Sequence, residues 1–103
     1  MSHEQKKYKI SLNDNAKRML RSHVRFVANV SPAAARKLAH TLNSEVQSLK
    51  SLPHRCPKFR ASKANKAYHK LTVGRYQVIF SIDESSDTVN VEYILDSRQS
   101  NEI

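Results

Sequence analysis

Tyr68-His-Lys-Leu-Thr-Val, Gly74-Arg75, Tyr76-Gln-Val-Ile-Phe-Ser-Ile82, Asp83-Glu-Ser-Ser-Asp87 and Thr88-Val-Asn-Val-Glu-Tyr-Ile-Leu95 follow one another without interruption, and Asp96-Ser-Arg98-Gln99 closes the run. Tyr76, Val78, Phe80 and Ile82 share one side of an extended chain at a period of two, and the same alternation assigns Val89, Val91, Tyr93 and Leu95 to one side. β-branched and aromatic residues dominate both runs, as half-buried strands require. Gly74 can adopt the positive φ of a tight turn, and the acidic break has the length of a hairpin loop. The stretch therefore predicts a three-stranded antiparallel meander with basic residues at its ends.

Working outward, Lys7 to Leu12 alternates, with Tyr8, Ile10 and Leu12 on one side, and predicts a first strand. Ser11 or Asn13 can cap a helix that follows, and Asp14 suits its positive end. Ala16, Met19, Leu20, Val24, Val27 and Val30 recur at three- and four-residue steps as its inner stripe. Ser31-Pro32 starts a second helix, with a hydroxyl cap and proline at the first helical position. Ala35, Leu38, Leu42, Val46 and Leu49 are its inner stripe, and Pro53 is expected to stop it soon after Leu52. Pro53 to Asn65 reads as a loop anchored by Cys56 and Phe59. The order strand, helix, helix, strand, strand, strand predicts an α+β fold: one small twisted sheet with a helical hairpin on one face. The first strand rejoins the sheet after a long crossover, beside the last strand.

The chain has 103 residues, 18 Lys and Arg against 9 Asp and Glu, and a net charge of +9. That length supports one domain with one modest core, residues 1–103, with polar tails at about 1–6 and 99–103. The charge calls for an anionic partner. One glycine in the whole chain excludes phosphate-cradling and dinucleotide-binding loops, which need several. The five histidines show no metal spacing and Cys56 is alone, so neither a metal site nor a cofactor is expected. No apolar run is long enough to span a membrane, and Met1 to Lys9 lacks the apolar centre of a signal peptide, so a cytoplasmic protein is expected. Lys17, Arg21 and Arg25 are spaced by four and form a basic stripe on the first helix. Arg55, Lys58, Arg60, Lys63, Lys66, Lys70 and Arg75 cluster on the loop and adjoining strand as a candidate anion-binding surface, with Arg98 at the end of the last strand.

From about Tyr8 to Gln99 the chain resembles the RelE/ParE superfamily of toxins from type II toxin–antitoxin systems. The resemblance is carried by Ser31-Pro-Ala-Ala-Ala-Arg-Lys-Leu, Ser48-Leu-Lys-Ser-Leu-Pro53, Tyr68-His-Lys-Leu-Thr-Val-Gly-Arg-Tyr-Gln-Val-Ile-Phe and Val91-Glu-Tyr-Ile-Leu-Asp-Ser-Arg-Gln99. It implies a basic, cytoplasmic growth-inhibiting toxin, of the kind used in plasmid stabilisation, neutralised by the acidic-apolar helical tail of a cognate antitoxin. Lys17, Arg21 and Arg25 would rim the antitoxin groove. Two activities follow from two branches. The helical-hairpin text is ParE-like and implies inhibition of DNA gyrase by binding. The alternative is a RelE-like, ribosome-dependent mRNA endonuclease (an mRNA interferase), in which the catalytic candidates are Arg98, Lys70, Arg75 and His69. Gln77 stands where that branch commonly has arginine, and no Tyr or His follows Arg98. Those departures also leave a third reading, an inactive small basic binding protein.

Overall fold

The computed structural model describes residues 6–60 and 66–98. The chain runs through β1 (Lys9–Leu12), α1 (Asp14–Ala28), α2 (Pro32–Gln47), two 3-10 turns (Ser48–Lys50 and Pro53–Arg55), β2 (Lys58–Arg60), β3 (Ala67–Val73), β4 (Tyr76–Asp83) and β5 (Thr88–Asp96). The sheet order is β1-β5-β4-β3-β2. β1 pairs parallel with β5, and every other pair is antiparallel. The predicted α+β architecture is therefore the observed one, with the first strand beside the last. The stretch read as a loop also carries β2, a three-residue edge strand too short to leave a periodic signal.

Local chemistry sets the boundaries. The Asn13 side chain accepts from the Ala16 N–H at 2.8 Å and the Ser31 hydroxyl accepts from the Ala34 N–H at 3.1 Å, each satisfying a donor that a helix start leaves unpaired. α2 stops at Gln47, five residues short of Leu52, because its last turn tightens into a 3-10 turn before the proline is reached. Gly74 takes φ +59 in the two-residue turn between β3 and β4. Leu52 holds φ 51, costly for a branched side chain, and Arg55 pins it there by donating to the Ser51 and Leu52 carbonyls at 2.8 and 3.0 Å.

The core lies between sheet and helices. Phe80, Leu42, Leu49, Val78, Val89, Val91 and Ile94 are fully buried in it, with Tyr76 and Cys56 at its margins. Burial pushes the Cys56 thiol above its ordinary pKa, which keeps it protonated and unreactive. Two sequence expectations fail here. Tyr93 and Leu95 do not continue the face of Val89 and Val91. The register shifts between Ile79, opposite Tyr93, and Phe80, opposite Val91, so Glu92 is an extra residue in β5. Such a bulge reverses the alternation, turning Ile94 to the helices and Leu95 to the other face with Tyr68 and Ile79. Val30 does not join the inner stripe either; it lies beyond the last residue of α1 and is 84% exposed.

α1 also covers a sheet edge. β1 ends at Leu12, so the second half of β5 has no strand outside it. Asn15 Nδ2 donates to the Glu92 carbonyl at 3.2 Å and His23 Nε2–H donates to the Ile94 carbonyl at 2.6 Å. Two side chains thus satisfy main-chain groups that a bare edge would expose.

Candidate partner-binding site

The bulge and the edge-covering helix together shape a concave part of the surface. Past Glu92 the reversed alternation carries Asp96 toward α1, at the end of the sheet where β3 turns into β4. Two clefts open there. The first, of ≈ 340 Å³, is lined by Ser22, His23 and Phe26 of α1, by Tyr76, and by Asp96 and Arg98. The second, of ≈ 310 Å³, lies between Ala34, Lys37, Leu38 and Thr41 of α2 and Val73, Gly74, Arg75 and Tyr76. Tyr76 is the wall common to both.

Tyr76 is 5% exposed and held from two sides. The His23 ring lies 5.1 Å away, tilted by 55°, and the Arg75 guanidinium carbon sits 5.7 Å from the Tyr76 ring centroid, within cation–π range. Because His23 Nε2 gives its proton to a carbonyl, that nitrogen must carry hydrogen, and Nδ1 is the ring nitrogen turned away from β5. Phe26, 66% exposed, forms the outer lip.

Asp96 is the buried acid of the site, with its side chain 7% exposed. It accepts from the Arg98 N–H at 2.9 Å, from Arg98 Nη2 at 3.0 Å and from Arg98 Nε at 3.3 Å. The Arg98 hydrogen bonds hold the Asp96 carboxyl below the ordinary carboxylate range, and Arg75 acts in the same direction. Arg98 is itself raised, and its side chain stays 55% exposed. Asp96 therefore orients a guanidinium that still faces outward. The site combines aromatic walls with two arginines and one acid, a chemistry that accepts an apolar side chain next to a carboxylate or phosphate.

The family model described as "ParE toxin of type II toxin-antitoxin system, parDE" matches residues 10–101. The chain belongs to the ParE toxin family. Among solved structures, this ParE-family toxin is similar to a chain of the chromosomal ParDE system from P. aeruginosa, at 16% identity and a TM-score of 0.67, over 84% of this chain and 92% of that one. It is also similar to a chain of the RelBE2 toxin–antitoxin complex from Mycobacterium tuberculosis, at 20% identity and a TM-score of 0.63, over 92% of this chain and 97% of that one. At those identities the likeness is one of fold. No curated protein matches the sequence. No helix among the described residues is long and apolar enough to cross a membrane.

The basic residues singled out in the sequence of this ParE-family chain separate in space. Arg75 and Arg98 come together at the clefts, with Arg75 in the hairpin turn rather than on the strand face of Gln77. Lys66, Lys58 and the Arg60 backbone belong to the opposite end of β3, about 20 Å away over seven residues of strand. Lys66 donates to Glu92 at 3.0 Å, and Glu92 also accepts from Ser81 at 2.8 Å and Tyr68 at 3.3 Å. Arg55 is occupied with the Leu52 turn and the Ser48 hydroxyl. Lys63 lies outside the described residues. His69 and Lys70 adjoin in sequence but point to opposite faces of β3. His69 is buried, donates from Nδ1 to the Cys56 carbonyl at 2.9 Å and stacks on Phe80 at 5.4 Å. Lys17, Arg21 and Arg25 are exposed along α1, on a different side from Phe26 at 100° per residue. His23, Phe26 and Asp96 did not stand out in the sequence. The one available signal was a phenylalanine on α1 outside its apolar stripe.

Proposed function

We propose that this toxin acts by binding, inhibiting DNA gyrase in the ParE manner, and that a cognate antitoxin silences it by occupying the paired clefts around Tyr76. The observation that carries this reading is the site's composition: two concave, largely apolar pockets sharing one aromatic wall, with Arg75 and Arg98 beside it. An acidic-apolar segment can seat an apolar side chain on each side of Tyr76 and a carboxylate on the arginines, while the basic stripe of α1 steers its approach. The dispersal of the nuclease candidates also favours binding. Cutting RNA by attack of a 2′-OH needs a base within hydrogen-bond reach of the proton it removes and cations at the same phosphate. His69 is buried on one face, Lys70 lies on the other, and Arg75 and Arg98 sit at the sheet's end.

Supercoiling assays with purified gyrase test the target. The expected result is inhibition with accumulation of cleaved DNA at micromolar toxin. Undisturbed supercoiling, together with new 5′ ends on ribosome-bound mRNA, would replace this reading with the endonuclease one. Arg75→Ala/Arg98→Ala is expected to weaken antitoxin binding more than tenfold by calorimetry.

A further inference from the structure

The charges on the helical layer remain after the clefts are accounted for. Lys17, Arg18, Arg21 and Arg25 on α1 and Arg36, Lys37 and His40 on α2 are all exposed. The acids of the two helices are Asp14, at the start of α1, and Glu45, near the end of α2. In an antiparallel hairpin these fall at the same end. The other end, where α1 finishes and α2 begins, carries cations alone, and α2 has no acid in its first turn to offset its positive pole. None of the ion pairs among the described residues involves a helix cation.

We propose that the outward side of the α1–α2 hairpin is a sequence-independent docking surface for the phosphate backbone of duplex DNA. With Ala16 and Ala35 turned to the core, a step of 100° per residue places Arg18, Arg21, Arg25, Lys37 and His40 on the outward half of their helices. Lys17 to Arg25 spans about 12 Å at 1.5 Å per residue, a length over which a duplex presents about seven phosphates. The surface holds no large exposed apolar side chain among the described residues; Phe26 turns toward the clefts, and Val30 and Leu52 lie outside both helices. An amphipathic antitoxin helix needs an apolar seat, and an unpaired strand needs aromatic rings to stack its bases. A duplex backbone needs neither. This surface meets the Tyr76 clefts only at Lys37, which lines the second of them, and its assignment stands whichever target the toxin has.

Fluorescence anisotropy of a labelled 30-base-pair duplex of arbitrary sequence tests it, using the full chain. Wild type is expected to bind with log K falling against log salt at a slope of about −3 to −5, the value for three to five phosphate contacts. Arg21→Glu/Arg25→Glu is expected to lose more than tenfold in affinity, and Lys9→Glu/Lys50→Glu, with the same change in net charge, less than threefold. Equal losses would make the binding a bulk-charge effect and overturn the proposal. So would a wild-type slope shallower than about −2, which needs no variant to fold, or tighter binding of the single strand than of the duplex.

Discussion

The helical hairpin and the β4–β5 pair carry charge in opposite ways. In and beside the strands each acid has a partner: Glu84 takes Lys6, Tyr8 and His54, Asp87 takes Lys6, Glu92 takes Lys66, and Asp96 takes Arg98. Asp83 accepts from both the backbone and the hydroxyl of Ser85. On the helices no Lys or Arg forms an ion pair among the described residues. Matched charge fixes geometry; it ties the segment before β1 to the β4–β5 turn and aims Arg98. Unmatched charge adds nothing to the fold and leaves a field for an external anion. From Ala67 to Arg98 three Lys and Arg stand against five acids, while the two helices carry six against Asp14 and Glu45.

Substitutions at the seam between the layers have the largest expected effect. Phe80→Ala removes a ring packed between β4, His69 and the helices and is expected to cost about 3–5 kcal/mol in urea unfolding. If it cost under 1 kcal/mol, the layers would not share the core described. Asp96→Ala comes next, at about 1–2 kcal/mol, toward the low end for a hydrogen-bonded acid because Arg98 is half exposed. Its pH signature sharpens the contrast. The folded carboxyl titrates below its ordinary value, so its contribution is complete above about pH 4 and is lost as pH falls through the depressed value. Asp96→Asn is expected to flatten that part of the acid limb in pH-dependent unfolding. An unchanged limb would show that Arg98 does not hold the acid. Arg55→Ala, which frees the strained Leu52 turn, is expected to cost about 1 kcal/mol by the same measurement. The smallest effect belongs to the helices. Lys17→Ala, Arg21→Ala and Arg25→Ala are each expected to stay within about 0.5 kcal/mol of wild type. A larger loss would mean these cations serve the fold after all.

The legible parts of the fold were those with a local physical cause. Gly74 announced its turn, Ser31-Pro32 its helix start, and Tyr76 to Ile82 its buried face. The bulge at Glu92 was not legible, since one extra residue breaks no propensity rule and shows only when β5 is set against β4. It moved Leu95 off the core face and brought Asp96 under α1. The site suffered for the same reason. Its walls come from residues 22–26, 34–41, 73–76 and 96–98, and only the completed sheet edge brings His23 to Tyr76. Lysines and arginines close together in sequence instead diverged, because successive residues of a strand point to opposite faces.

Growth after induced expression of variants, in cells without antitoxin, tests the central claim that the toxin acts through the clefts at the sheet's end. Arg75→Ala/Arg98→Ala is expected to abolish growth arrest while Lys70→Ala, on the open face of β3, preserves it. Arrest that survives the double substitution but vanishes with Lys70→Ala would contradict the account and move the working surface to the middle of the sheet.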